Sequence, residues 1–106
     1  MAYKVLGQSN PSATTATDLY TVPSAKSAVV STIAIANRGS GGTTYRVAVR
    51  PAGATLANQH YIAYDVAIPA NSTDFLTIGI ALATTDVITV YAGLANLSFS
   101  AFGNEI

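Results

Sequence analysis

The chain contains 106 residues, of which only 9% are charged, and its five basic residues balance its five acidic ones. This length allows one domain with a single core, which we expect to span residues 1–106. The absence of cysteine excludes disulfides and thiolate metal sites. A net charge of zero argues against nucleic acid as a partner, because phosphate binding needs clustered Lys and Arg. The longest charge-free stretch, residues 87–104, is interrupted by polar side chains, so we expect neither a membrane span nor a membrane partner.

Apolar and polar residues alternate with a period of two along most of the chain, which is typical of half-buried β-strands. Good helix formers are scarce, and no helix is predicted. Seven or eight short strands without intervening helices predict an all-β domain, an antiparallel β-sandwich of the jelly-roll or immunoglobulin-like type. The eight candidate strands are residues 3–8, 18–22, 28–37, 43–50, 60–68, 73–80, 87–92 and 97–102.

In the first half of the chain, a Ser/Thr-rich stretch at residues 9–17 separates the first two strands. It forms either a mobile loop or an extended arm that packs on a neighbouring copy. The third strand, residues 28–37, has apolar or small side chains on both faces, as expected for a central strand. Glycines within residues 39–42 then make the turn into the fourth strand, because glycine tolerates the backbone angles of a tight reversal.

In the second half, strict alternation along the fifth strand directs Ile62 and Tyr64 towards the core and Tyr61 away from it. Residues 73–80 are predicted to form one strand, and residues 93–96 to join the last two strands as a hairpin. The residues expected to be mostly buried are Ile33, Ile35, Val47, Val49, Ile62, Tyr64, Ile78, Val90 and Phe99.

The residues of catalytic chemistry are few and scattered. The single histidine, His60, lies five positions before Asp65, and this odd offset places the two side chains on opposite faces of a strand. No Gly-x-Ser-x-Gly segment provides a nucleophile elbow, and the five carboxylates are dispersed. We therefore expect His60 to be structural or interfacial, and we predict no enzyme activity, no catalytic or metal-binding residue, no cofactor and no small-molecule ligand.

The low charge favours association between copies. Ten charged residues cannot cover a domain of this size with a repelling shell, so we expect a homo-oligomer, with a ring or trimer preferred. If the first strand is an edge, Lys4 protects it against pairing with other chains, whereas the last strand, residues 97–102, contains no charged residue or proline with this effect. The alternative is that these two strands pair within one chain and leave a monomer. The candidate interface residues are Lys4, Arg46, Arg50, Tyr61, Phe102 and Ile106.

Arg46 and Arg50 share one face of the fourth strand, because they are four positions apart. They either contact a partner or have a local role, on a solvated face or in a cross-strand pair with Asp65. Tyr61 is favoured as an interface residue because its predicted direction is away from the core.

Six segments, taken in order, resemble small virion structural proteins of tailed bacteriophages, especially those of cyanobacterial phages. The segments are YKVLGQ at 3–8, LYTVP at 19–23, NRG at 37–39, RVAVRP at 46–51, NQHYIAYD at 58–65 and LSFSAFGNEI at 97–106. The resemblance implies a non-enzymatic accessory subunit of the particle, either a capsid decoration protein or a tail-associated one, with other virion proteins as partners. It implies location in the virion after synthesis in the host cytoplasm, and residues 1–7 lack the apolar centre of a secretion signal.

Two other function classes remain open. A receptor- or carbohydrate-binding module of a tail fibre or baseplate would need aromatic side chains clustered at one end of the sandwich, and the chain has six tyrosines but no tryptophan. A small hydrolase would need an acid–base pair that the sequence does not provide.

Overall fold

The computed structural model describes residues 2–106 and contains two antiparallel β-sheets packed face to face. Within this range there are nine strands and two short 3-10 turns, at Pro51–Gly53 and Asn58–His60, so the predicted all-β sandwich is confirmed. No helix among the described residues is long and apolar enough to cross a membrane. The strands are β1 Ala2–Ser9, β2 Thr17–Thr21, β3 Ala28–Asn37, β4 Thr43–Arg50, β5 Tyr61–Ile68, β6 Thr73–Leu76, β7 Ile80–Leu82, β8 Val87–Ala92 and β9 Leu97–Glu105.

Sheet A has the strand order β1-β9-β3-β6, with β7 also paired to β3, and sheet B has the order β2-β8-β4-β5. The core lies between the sheets, where burial of apolar side chains supplies most of the folding free energy. Five of the expected core residues are fully buried there, which confirms the alternation read from β3, β4, β8 and β9. These residues are Ile33, Ile35, Val47, Val90 and Phe99.

Strand β5 departs from the predicted alternation. Val66 pairs with Tyr45 and Ala63 with Val47, so β5 carries an extra residue between these pairs, and a second register shift follows before Tyr61. Val66 packs against the core, as regular alternation from Ile68 predicts, and because the bulge moves the side chains beyond it to the other face, Ala63 packs there in place of Ile62 and Tyr64. The predictions for Ile62 and Tyr64 are therefore wrong: both side chains are exposed.

The segment predicted as one strand, residues 73–80, is two strands that both pair with β3. The interruption contains Gly79, whose positive φ of 66° is a backbone conformation that glycine adopts readily. Ile78 lies in the interruption and is exposed, so its predicted burial is wrong. Val49, another expected core residue, is only partly buried at the margin of the core.

The connection at residues 93–96 is not a hairpin, because it leads from β8 in sheet B to β9 in sheet A. Strand β9 is not an edge either, since it pairs with β1 on one side and β3 on the other. The first and last strands thus pair within one chain, which is the alternative to edge pairing between copies that the sequence left open. Strand β3 is central as predicted, although one of its faces is partly open and Val29 is exposed there.

Residues 9–17 cross from sheet A to sheet B along the surface of their own chain. Asn10 Nδ2 donates hydrogen bonds to the carbonyls of Ala95 and Leu97 at 3.0 and 2.9 Å. Further along, the backbone N–H of Thr14 donates to the carbonyl of Ala92 at 2.8 Å, next to a parallel bridge between Ala13 and Ala92. These contacts hold the segment along its own domain.

Candidate functional site

The outer face of sheet A exposes large apolar side chains from four adjacent strands. The register aligns Val5, Phe102 and Thr32 across β1, β9 and β3, and it places Phe75 of β6 opposite Ala34. We call this surface the apolar face. Its exposed apolar side chains are Tyr3, Val5, Val29, Phe75 and Phe102, with exposed fractions from 38% for Phe102 to 82% for Tyr3.

The described residues of its strands place no charged side chain on the apolar face, and Arg38, directly after β3, reaches the end of the face, where its Nε donates a hydrogen bond of 2.7 Å to Ser98 Oγ. The charged residues of these strands align with buried positions of the opposite face: Lys4 with Val30, Asp74 with Ile35, and Glu105 with Ala28. The positions between the large apolar side chains of the apolar face are small or uncharged. They include Gln8, Thr32, Ala34, Ala36, Ser98 and Ser100.

Near the edge of sheet A, Glu105 connects Lys4 to the core. Lys4 Nζ lies 3.1 Å from Glu105 Oε1, and the Tyr20 hydroxyl donates a hydrogen bond of 2.5 Å to Glu105 Oε2. Burial, followed by this bond, raises the pKa of Tyr20 well above its usual range, and the Tyr20 and Lys4 bonds lower the pKa of Glu105. Ile106 exchanges two backbone hydrogen bonds with Ser27 while its side chain stays exposed. Of the candidate interface residues on this sheet, Phe102 is the one on the apolar face.

The outer face of sheet B carries a different surface, which we call the tyrosine cluster: Tyr61, Tyr64, Tyr91, Arg46 and Asp65. The guanidinium carbon of Arg46 lies 4.2 Å from the ring centroid of Tyr64 and 4.3 Å from that of Tyr91. The Tyr61 and Tyr64 rings meet edge to face with centroids 4.9 Å apart. Two register shifts in β5 bring these rings together, since residues three apart point to opposite faces of a regular strand.

Arg46 forms the cross-strand pair with Asp65 that the sequence offered as an alternative. Its Nε and Nη2 donate to Oδ1 and Oδ2 of Asp65 at 2.7 and 3.3 Å. This fork-like pair orients the guanidinium and raises the pKa of Arg46, mainly through the hydrogen bond to Asp65. The positive charge therefore stays fixed between the two tyrosine rings, and the carboxylate compensates it.

Beside the tyrosine cluster is an open hollow of about 480 Å³ lined by Asn58, Tyr61 and Tyr64. Asn58 begins the 3-10 turn Asn58–His60, and the backbone N–H of Ala57 donates to His60 Nδ1 at 3.0 Å. His60 is buried and thus holds the turn that presents Asn58. It has a structural contact, one of the two roles expected for it from the sequence.

Arg50 points to the same face as Arg46 but serves local structure. Its three nitrogens donate to Thr89, to the carbonyls of Gly53 and Ala54, and to Asp18, the last at 2.9 Å. Every carboxylate of the chain accepts a hydrogen bond from its own chain. The acceptors are Asp18, Asp65, Asp74, Asp86 and Glu105. Residues 2–106 contain no group of three His, Cys, Asp or Glu residues placed to hold a metal ion.

Sequence reasoning identified Arg46 and Tyr61 but not Tyr64, Tyr91 or Asn58. Tyr64 was assigned to the core because alternation was assumed throughout β5. The one available signal was Asp65, which follows Tyr64 within an apolar strand. Asp tolerates positive φ better than most residues, and Asp65 adopts a φ of 50°. On sheet A, Phe102 was identified, whereas Tyr3, Val5, Val29 and Phe75 were not.

Comparison with known proteins gives no relative. No protein-family model matches the chain, and neither the curated proteins nor the solved structures include a significant match.

Proposed function

We propose that this chain is a non-enzymatic bacteriophage virion protein, an accessory subunit of the capsid or tail that associates with itself and docks on other virion proteins. The observation that carries the association is the apolar face, which extends across four strands of sheet A and meets the charged Arg38 at its end, beside Ser98. The assignment to a virion comes from the resemblance of the six sequence segments.

The size of the apolar face suits an interface between two copies. Four strands spaced about 4.8 Å apart, each rising about 3.4 Å per residue, give a flat footprint of about 500 Å². Protruding side chains such as Tyr3 and Phe75 raise the accessible area above this footprint. Stable interfaces bury about 800 Å² on each partner, whereas the largest apolar patch of a typical monomer is about 300–600 Å². A second copy stacked on this face by a two-fold axis would bury a flat footprint of about 500 Å² on each partner, and contacts with residues around the margin would supply the rest of the roughly 800 Å².

Charge also favours a second copy as the occupant. A partner that stacks on Phe102 and the residues around it desolvates hydroxyls and apolar atoms, and the exposed Arg38 at the end of the face, beside Ser98, need not be buried. The chain as a whole is neutral, so two copies repel each other only weakly. Phe102 lies on the inner strand β9, towards the middle of the surface where interface hot spots concentrate, and Phe75 on the edge strand β6 is a more exposed aromatic side chain of the same surface.

The test measures mass by sedimentation equilibrium for the parent and for the double variant Phe75→Lys, Phe102→Lys. We expect an oligomer for the parent at about 100 μM and a monomer for the double variant, with circular dichroism unchanged. The matched control is Leu94→Lys, which changes an exposed apolar side chain in the connection between β8 and β9, outside the apolar face. It should retain the parent's mass.

A monomeric parent, or a control that dissociates as fully as the double variant, would refute association through the apolar face. The virion assignment has its own measurement, which is immunogold labelling of purified phage particles with an antibody against this chain. We expect regularly spaced labels on the particle, and unlabelled particles would overturn that assignment.

A further inference from the structure

The tyrosine cluster is held rigid before any ligand arrives. Arg46 is fixed between the rings of Tyr64 and Tyr91, at 4.2 and 4.3 Å from their centroids, and Asp65 fixes Arg46 in turn. Tyr61 packs edge to face on Tyr64, so neither ring rotates without losing a contact. A site whose side chains are already ordered loses less conformational entropy when a ligand binds. Even so, Tyr64 remains 56% exposed, which leaves ring surface available for a ligand.

The groups around the hollow define the chemistry of that ligand. Tyr61 and Tyr64 supply apolar rings and phenol hydroxyls, and Asn58 supplies an amide that can both donate and accept. The single cation nearby, Arg46, is already paired with Asp65 through two hydrogen bonds. A phosphate or carboxylate would therefore meet no uncompensated positive charge here. A neutral ligand with several hydroxyls and one apolar face fits these groups best.

We infer that the hollow lined by Asn58, Tyr61 and Tyr64 binds a neutral sugar ring. The apolar face of a pyranose packs on a tyrosine ring, and its hydroxyls exchange hydrogen bonds with the amide of Asn58 and with the phenol groups. The volume of about 480 Å³ lies within the range of small-ligand sites. This site goes beyond the assembly role proposed above and replaces the expectation that the chain binds no small molecule.

The groups at the hollow favour a sugar over a protein partner. Tyrosine and arginine are also common at protein interfaces, where they form the centre of a mostly desolvated patch. Here Tyr61 and the exposed Tyr64 border a shallow hollow beside the polar Asn58, and the larger set of exposed apolar side chains lies on the opposite sheet. The hollow is open to solvent, so we expect weak binding, with a dissociation constant of roughly 1 mM for one sugar ring.

The test is a titration of the labelled protein with methyl glucoside, methyl galactoside and N-acetylglucosamine, each followed by amide and aromatic chemical shifts. We expect saturable shifts of the signals from Asn58, Tyr61 and Tyr64 with at least one sugar. Tyr61→Ala should weaken binding at least tenfold, and Tyr64→Phe, which keeps the ring and loses only a hydroxyl, should weaken it less. Tyr3→Ala is the control, because it removes a tyrosine that is exposed on the opposite sheet, away from the hollow.

Three results would overturn the inference: no saturable shift with any of the three sugars up to about 50 mM, equal binding by Tyr61→Ala and the parent, or shifts confined to the apolar face. A change of oligomeric mass in Tyr61→Ala without sugar binding by the parent would show that the cluster is a protein interface, and this also contradicts the inference. The double variant Phe75→Lys, Phe102→Lys should bind sugar like the parent, so the assembly proposal and the sugar site can fail separately.

Discussion

Replacing Gly103 with alanine should separate the two central strands of sheet A. Gly103 of β9 pairs with Val30 of β3, next to the register shift that follows Val30. A Cβ at this position would lie 2.0 Å from the Val29 carbonyl oxygen and 2.9 Å from the Val30 Cα, where ordinary contacts are 3.4–4 Å. Both atoms belong to the backbone, so no side chain can rotate away and the strands must separate by roughly 1 Å or more. Overpacking of this kind, together with weakened ladder hydrogen bonds, should reduce the free energy of unfolding by about 3 kcal/mol.

The assay for Gly103→Ala is thermal unfolding followed by circular dichroism. For a domain of this size, about 3 kcal/mol corresponds to a melting temperature about 10–20 °C below that of the parent. Gly41→Ala is the matched control, because a Cβ there has no neighbour within 4 Å. It should melt close to the parent. If Gly103→Ala also melted within two or so degrees of the parent, the close approach of β9 to β3 described here would be wrong.

Two further predictions concern burial and titration. Replacing the fully buried Ile35 with alanine should lower the free energy of unfolding, measured in urea, by about 2–4 kcal/mol. Ile78→Ala, in the exposed interruption between β6 and β7, should change it by less than about 0.5 kcal/mol. Equal losses in the two variants would contradict the division of residues 73–80 into two strands. Burial, and then the hydrogen bond to Asp74, raises the pKa of Tyr45 to about 12 from its ordinary value of 10.0. Because the pKa of Tyr45 is higher in the folded state than in the unfolded state, the stability that its protonated hydroxyl contributes is complete below pH 10 and disappears as pH rises towards 12. The urea midpoint of the parent should therefore fall between pH 10 and about 12, and that of Tyr45→Phe should fall less. An equal fall in both proteins would contradict the raised pKa of Tyr45.

Regular strands were the predictable part of the fold. Alternation placed Ile33, Ile35 and Val47 correctly because β3 and β4 keep their period around those positions. It failed for Ile62 and Tyr64 because each bulge in β5 shifts the period by one residue, and a bulge depends on pairing with another strand. Local sequence does not contain that pairing.

The sheet assignment of the last strand was also beyond local sequence. Four residues, 93–96, are enough for a hairpin and also enough to cross the roughly 10 Å between packed sheets. Which of the two occurs depends on partners far along the chain, since β9 pairs with β1 and β3. The same limit applies to the tyrosine cluster, because Tyr64 and Tyr91 both meet Arg46 only through the pairing of β8, β4 and β5.

The position of β9 has a consequence for biosynthesis. It leaves the ribosome after the other eight strands, yet it lies in the middle of sheet A and is the only strand with which β1 pairs in the described chain. The four strands of sheet B are complete once Ala92 has emerged, whereas β1 must wait until β9, Leu97–Glu105, has been synthesised before its partner exists. A nascent chain stalled before Leu97 would display unpaired strands and the apolar core side of sheet A, the kind of surface that chaperones bind. Sheet A is therefore expected to finish folding only after β9 has left the ribosome.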